Sequence, residues 1–302
     1  MKEAFKNIRF NASTRKMIET ANRIIDDLRS QGYTLTLRQL YYQCVAADII
    51  PNKQSEYKRL GSILNDARLC GMVDWDAIED RTRNLSGTTH RERPETIISD
   101  AAHSFRMDKW RGQDFRVEVW VEKDALEGIL SKACHGLDVD FFSCRGYTSQ
   151  SALYEASKRM LDYQAEGQDP VIIHLGDHDP SGIDMTRDIF DRLELMTGGP
   201  IEVKRIALNM NQVKKYNPPP NPAKQTDSRF QDYIKKHGKN CWELDALSPK
   251  VIDALIVDEV GKYRDDDKFA AREKLEAKHR ATLLKISNNY EDVVKYVSSI
   301  KD

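Results

Sequence analysis

The sequence predicts an α/β protein: an α-rich winged-helix domain, then a Rossmann-like parallel sheet, then a helical C-terminal extension. Three observations lead there. Apolar residues at helical spacing fill three segments of the first third. From Phe115 onward, strand-like apolar runs alternate with helical stretches. Beyond Leu208 a basic, Pro-rich segment gives way to charged helical sequence.

In the first third, Met17, Ile18, Ala21, Ile24 and Ile25 share one face of a helix over 13–30, and further helices are expected over 37–47 and 56–70. This is a helix-turn-helix arrangement. The stretch 72–83 (MVDWDAIEDRTR) is expected to form the short strand and wing that follow such a trio, with Arg81 and Arg83 available to a DNA phosphate. Residues 84–113, with Gly87, Pro94 and mixed charge, read as a connector holding one short helix. The expected division is therefore 1–95 for the winged helix, 96–112 for the connector, 113–208 for the sheet domain, and 209–302 for the basic loop and helical extension of that domain.

The strands are expected in FRVEVWVEK, VDFFSCRG, PVIIHLGDHD and IEVKRIAL, with helices starting at Ala125, Ser149 and Ser181 between them. Such alternation implies βαβ units and a parallel sheet covered on both faces. The prolines of KKYNPPPNPAK bar regular structure through that segment. Helices are expected again over 249–263 and from 268 to about 298.

With 302 residues, 40% of them hydrophobic, the chain can bury a core large enough for two domains. No apolar run approaches the roughly 18 residues of a membrane helix, and the first residues lack the apolar stretch of a secretory signal, so a cytoplasmic protein with no membrane partner is expected. Five scattered cysteines without a CxxC pair suggest neither a disulfide framework nor zinc. The net charge of −1 does not announce a nucleic-acid partner, but residues 209–240 hold seven Lys/Arg, among them Lys214, Lys215 and Lys224, against Asp227 and Asp232. That segment can contact phosphate or be a solvated loop.

Glu122 closes the first strand of the sheet, and Asp177 and Asp179 close the third. Carboxyl ends of strands are where open α/β sheets bind ligands. Asp177 and Asp179, two apart in an extended stretch, point the same way. Three hard oxygen donors at one crevice suit Mg²⁺, with Lys123 beside them to hold phosphate. Each acid also has an ordinary structural reading, most clearly Asp179, which precedes Pro180 as a helix N-cap would. His178 reads as a solvent-facing loop residue and His174 as a core residue.

On the second helix, Thr36 and Gln39 form a capping box that fixes the register. Leu37, Leu40, Tyr41 and Cys44 then share an apolar face, which makes Tyr41 a core residue. Arg38 and Tyr42, four apart, are neighbours on another face. A phenol beside a guanidinium that grips phosphate has the parts for nucleophilic attack on a phosphodiester.

Six segments carry a family resemblance. VEVWVEKDAL and HLGDHDPSGIDM resemble the glutamate and DxD motifs of the Toprim fold, the second in the DxDPxG form of topoisomerase VI A subunits. SCRGYTSQSAL resembles the Gly-Tyr turn of that group, and RQLYY its Arg-x-x-Tyr-Tyr motif; RIALNMNQV and WELDALSP resemble its C-terminal pieces. The resemblance implies a CAP-like winged helix followed by a Toprim domain, with Tyr42 as nucleophile and Arg38 beside it. It makes Glu122, Asp177 and Asp179 the Mg²⁺-binding acids, with Glu122 also in the catalytic set. It further implies double-stranded DNA as partner and a homodimer in which the tyrosine of one subunit meets the metal site of the other. The chain is compact for the family and similar to its free-standing Mini-A members of mobile elements. No GxxxxGK[ST] pattern is present, so ATP-driven strand passage would need a separate B-type ATPase subunit. The expected activity is cleavage and rejoining of DNA through a 5′-phosphotyrosyl link. A Toprim nuclease using activated water and a non-catalytic DNA-binding module are the alternatives.

Overall fold

The computed structural model describes residues 1–78 and 90–300. The chain divides into two compact units, Met1–Arg81 with Phe115–Tyr263, and Thr82–Asp114 with Arg264–Asp302. Arg81 and Arg83 lie outside the described residues.

The first unit opens with α1 (Ala12–Ser30), α2 (Leu37–Ala46) and α3 (Gln54–Leu69). Asn11 caps α1 by accepting from the Thr14 amide at 2.8 Å. The Thr36/Gln39 capping box starts α2 as the sequence demands. Ile18, Ala21 and Ile25 of α1, Leu40 and Cys44 of α2, and Leu60 and Leu64 of α3 form the core between the helices. Each fully buried Leu or Ile contributes about 1.5–3 kcal/mol. Within the stretch expected as strand and wing, the described residues form a 3₁₀ turn, Trp75–Ala77, and not a strand. The Asp74 carboxylate closes that turn by accepting from the Asp76 amide, and only Ile78 then pairs, as a single bridge to Leu35.

The sheet contains β1 (Phe115–Val121), β2 (Asp140–Ser143), β3 (Asp169–Leu175) and β4 (Glu202–Ala207) in the order β2-β1-β3-β4, all parallel. The chain leaves β1 for β2 on one side and returns to β3 on the other, so the direction of winding changes between β1 and β3. That is the switch point where the carboxyl ends open a crevice. Between the strands run α5 (Glu127–Leu137), α6 (Gln150–Ala165) and α7 (Pro180–Thr197); α4 (Pro94–Ser104) belongs to the second unit. Trp120 of β1 and Ile172 of β3 are packed with Leu153 and Met160 of α6 and Ile189 and Leu193 of α7. The near-continuous apolar run of β3 is buried along almost its whole length, as a strand covered on both faces must be.

Beyond β4 follow α8 (Met210–Tyr216), α9 (Phe230–His237) and α10 (Pro249–Val260). The Pro-rich segment is less irregular than expected. Its end, β5 (Asn221–Pro222), pairs antiparallel with β6 (Asn240–Cys241) in a ladder short enough to tolerate a proline. Directly after β6, Trp242 and His178 exchange main-chain hydrogen bonds at 2.8 and 3.0 Å, and Leu244–Ala246 form a 3₁₀ turn. Ala246 of that turn joins the core of the N-terminal helices. Sheet and helices thereby share one unit.

In the second unit α4 packs along α11 (Asp266–Asn288), which is followed by α12 (Tyr290–Ser299). Arg280 of α11 donates from Nε to the Ala102 carbonyl at 3.1 Å, satisfying an otherwise orphaned acceptor at the end of α4. Residues 96–112, expected as a connector, and those from 264 on, expected as an extension of the sheet domain, thus belong together. Among the described residues no helix is long and apolar enough to cross a membrane.

Candidate functional site

The first unit encloses a cavity of about 530 Å³ at the carboxyl ends of β1 and β3, lined by Arg38, Tyr41 and Tyr42 of α2, by Glu122, Lys123, Asp177 and Asp179, and by Lys224 and Glu243 among others. Residues far apart in sequence meet here because the 3₁₀ turn after β6 carries α2 against the sheet edge. Lys214 and Lys215 are exposed on α8 and do not line the cavity.

Glu122 follows β1 directly, and its Oε2 accepts the Asp177 amide at 2.8 Å, tying the two acid-bearing turns together. Asp177 is buried; its Oδ2 pairs with the Lys123 ammonium at 2.8 Å and its Oδ1 accepts the Leu244 amide at 2.8 Å. Asp179 fills the role of helix cap, its Oδ1 accepting the Gly182 amide at 2.6 Å, while still lining the cavity. Pro180 at the first helical position and Gly182 after it follow from this geometry. A Cβ on Gly182 would sit 2.4 Å from the Asp177 carbonyl oxygen and 3.0 Å from Glu122 Oε2, so only glycine fits.

Two acids of the site escaped the reading of the sequence. Glu243 Oε2 accepts from Arg38 Nη2 at 2.6 Å and from Lys123 Nζ at 2.8 Å. Asp245 is fully buried and faces Arg38 Nε at 3.1 Å and Lys123 Nζ at 3.3 Å. The signal was the spacing: Glu243 and Asp245 are two apart in WELDAL, as Asp177 and Asp179 are in GDHD. Arg205 of β4 was missed as well. Its guanidinium donates to the carbonyls of Gly176, Asp177 and Gly182 at 2.6 to 2.9 Å, clamping the DxD turn from behind.

Burial pushes the pKa values of Glu122 and Asp177 upward, and their mutual proximity with Asp179 and Asp245 adds to it. Burial alone would discharge Lys123, but Asp177, Asp245 and Glu243 outweigh it and hold the ammonium well above its ordinary range. Arg38 is kept charged by Asp245 and Glu243 against the same desolvation. Carboxylate oxygens are the donor type that a hard divalent cation takes, and burial with mutual repulsion disfavours the charged form of these acids. Lys123 takes up part of that charge, and no group of three or more acids, histidines or cysteines among the described residues is gathered closely enough to ligate one ion.

Tyr41 and Tyr42 are both buried, contrary to a simple division into a core face and a site face. The reason is the 3₁₀ turn Leu244–Ala246, which packs on α2 and covers the second face too. Their hydroxyls still part company. Tyr41 donates to Asn52 Oδ1 at 3.0 Å, with the Lys53 carbonyl at 3.2 Å. Tyr42 has the Arg38 guanidinium 5.9 Å from its ring centre and the Glu243 and Asp245 charges close by. Burial first, and then those carboxylates, push the Tyr42 phenol above its usual range, with Arg38 opposing.

His178 is buried and not solvent-facing, because the main-chain pairing with Trp242 covers it; its Nδ1 lies 2.9 Å from the Tyr233 hydroxyl. His174 is a core residue paired with Thr186 Oγ1 at 2.8 Å. No protein-family model matches the chain, and no curated protein is detectably similar to it in sequence.

Proposed function

We propose that the chain is a Mg²⁺-dependent DNA transesterase of the topoisomerase VI A type, combining a winged-helix part with a Toprim part. The Tyr42 oxygen attacks a DNA phosphodiester, the bond to the 3′-oxygen breaks, and the proton of the phenol is balanced by the 3′-hydroxyl that leaves. The energy of the diester is kept in a 5′-phosphotyrosyl bond, so resealing needs only the reverse attack.

The observation that carries this reading is the shared cavity: Tyr42, Arg38, Glu122, Asp177 and Asp179 all line it. Arg38 and Lys123 present charged donors to the oxygens of a phosphate seated against Tyr42. One or two of the acids Glu122, Asp177 and Asp179 would hold Mg²⁺ together with the substrate phosphate, where it would compensate charge developing on that phosphate. Arg205 fixes the turn that carries two of these acids. Because tyrosine and carboxylates of the same chain meet, cleavage of one strand needs no exchange of residues between copies. A homodimer would supply two such sites for the two strands of a duplex, and strand passage would require a separate ATPase subunit.

Hydrolysis is the second reading, favoured by the elevated pKa of the Tyr42 phenol, which disfavours phenolate. In it the acids activate water and Tyr42 only contacts phosphate. Incubation with supercoiled DNA and Mg²⁺, stopped with detergent, separates the two. The transesterase reading expects protein-linked 5′ ends that vanish in Tyr42→Phe, whereas free 5′-phosphates surviving that substitution would establish hydrolysis.

A further inference from the structure

We propose that Glu243 is an internal phosphate mimic: its carboxylate occupies an anion subsite built by Arg38, Lys123 and Asn221 beside Tyr42, and an incoming phosphate group displaces it. This deepens the transesterase reading and rests on it for the identity of the phosphate as DNA backbone. The subsite itself stands on geometry.

Three donors converge on one side chain. Arg38 Nη2 and Lys123 Nζ meet Glu243 Oε2 at 2.6 and 2.8 Å, and Asn221 Nδ2 reaches Oε1 at 3.3 Å. A guanidinium, an ammonium and an amide around two oxygens form the donor set that a phosphate group also takes. While Glu243 is in place its carboxylate occupies Arg38 Nη2 and Lys123 Nζ.

Glu243 is built to leave and Asp245 to stay. The Glu243 side chain is 21% exposed and lines the cavity, while that of Asp245 is fully buried. The backbone on either side of Glu243 is pinned, Trp242 to His178 and the Leu244 amide to Asp177. Release is therefore a rotation of one side chain, without movement of the loop. When Glu243 swings out, Asp245 still holds Arg38 Nε and Lys123 Nζ at 3.1 and 3.3 Å, so both cations remain aimed at the vacated position.

The test is calorimetric titration of pyrophosphate, in Mg²⁺-free buffer, into the wild-type chain and Glu243→Gln. A parallel titration follows a labelled DNA duplex in the Tyr42→Phe background with and without Glu243→Gln. The substitution removes the competing charge and is expected to tighten pyrophosphate about tenfold, the scale of one charge-assisted contact released, and to tighten the duplex in the same direction. Equal or weaker pyrophosphate binding by Glu243→Gln overturns the mimic whatever the duplex does. A pyrophosphate gain with no duplex binding by any variant upholds the subsite and overturns the DNA reading. Should Glu243→Gln fail to fold, the wild-type chain answers by NMR. The Arg38 guanidinium resonance, assigned by its loss in Arg38→Lys, must shift on pyrophosphate addition, and its invariance at saturation overturns the proposal.

Discussion

The outer face of α7 and the crevice at the strand ends both pair acids with bases, and they do so under opposite conditions. On α7, Arg187 bridges Asp184 and Asp191 at 2.8 and 2.5 Å, three and four residues away, with its side chain 60% exposed. In the crevice, Arg38, Lys123, Asp177, Glu243 and Asp245 come from four separate stretches of chain, and all but the half-exposed Arg38 are largely withdrawn from water. Exposed pairs at helical spacing contribute little and are screened by salt. A buried cluster costs desolvation that apolar packing would avoid, while loss of one partner leaves a buried charge uncompensated. On the proposed transesterase reading, such a crevice would keep its charges for a phosphate and a metal.

The contrast should show most visibly at Lys123. Lys123→Met strips the shared cation from Asp177, Glu243 and Asp245 and is expected to destabilise the protein by roughly 3–5 kcal/mol, read from urea midpoints. A loss below about 1 kcal/mol would mean that the cluster is effectively solvated. Gly182→Ala comes next. The added Cβ must push the Asp177 carbonyl away, so a loss of about 1–3 kcal/mol is expected together with loss of DNA cleavage.

The pH dependence of stability separates buried from exposed groups in a second way. Burial drives the pKa of His174 from 6.5 down to about 3 and that of His178 to about 4. Both are therefore neutral in the fold at pH values where the unfolded chain takes up protons. Their contribution is complete above pH ~6.5 and is lost as pH falls toward the folded values, by up to about 1.4 kcal/mol per pH unit for each. Urea titrations between pH 6.5 and 5 are expected to show this slope, reduced by His174→Gln. An unchanged slope in that variant would place the proton uptake elsewhere. The weakest effect belongs to α7: Arg187→Gln should leave the midpoint where it is, and a clear shift would undo the contrast itself.

Much of the fold was legible because it follows local rules. The capping box at Thr36, the apolar face of α1, the buried run of β3 and the alternation of strands with helices each need only neighbours in sequence. The acids after β1 and β3 were legible for the same reason, as strand ends. What was not legible required contacts across the chain. The 3₁₀ turn at Leu244–Ala246 seats Glu243 and Asp245 against Arg38, buries Tyr42 as deeply as Tyr41, and covers His178 through Trp242; no periodicity encodes that meeting. The grouping of α4 with α11 escaped similarly, since the whole strand–helix stretch 115–263 separates the two in sequence.

If Tyr42, and not water or Tyr41, takes the DNA phosphate, the covalent adduct must sit on one known peptide. Protein trapped on a 5′-labelled duplex with Mg²⁺, denatured, digested and mapped by mass spectrometry, reads that adduct directly. A phosphonucleotide on the α2 peptide at Tyr42, and none at Tyr41, is the expected result. Cleaved DNA with unmodified protein, or an adduct on Tyr41, would refute the assignment.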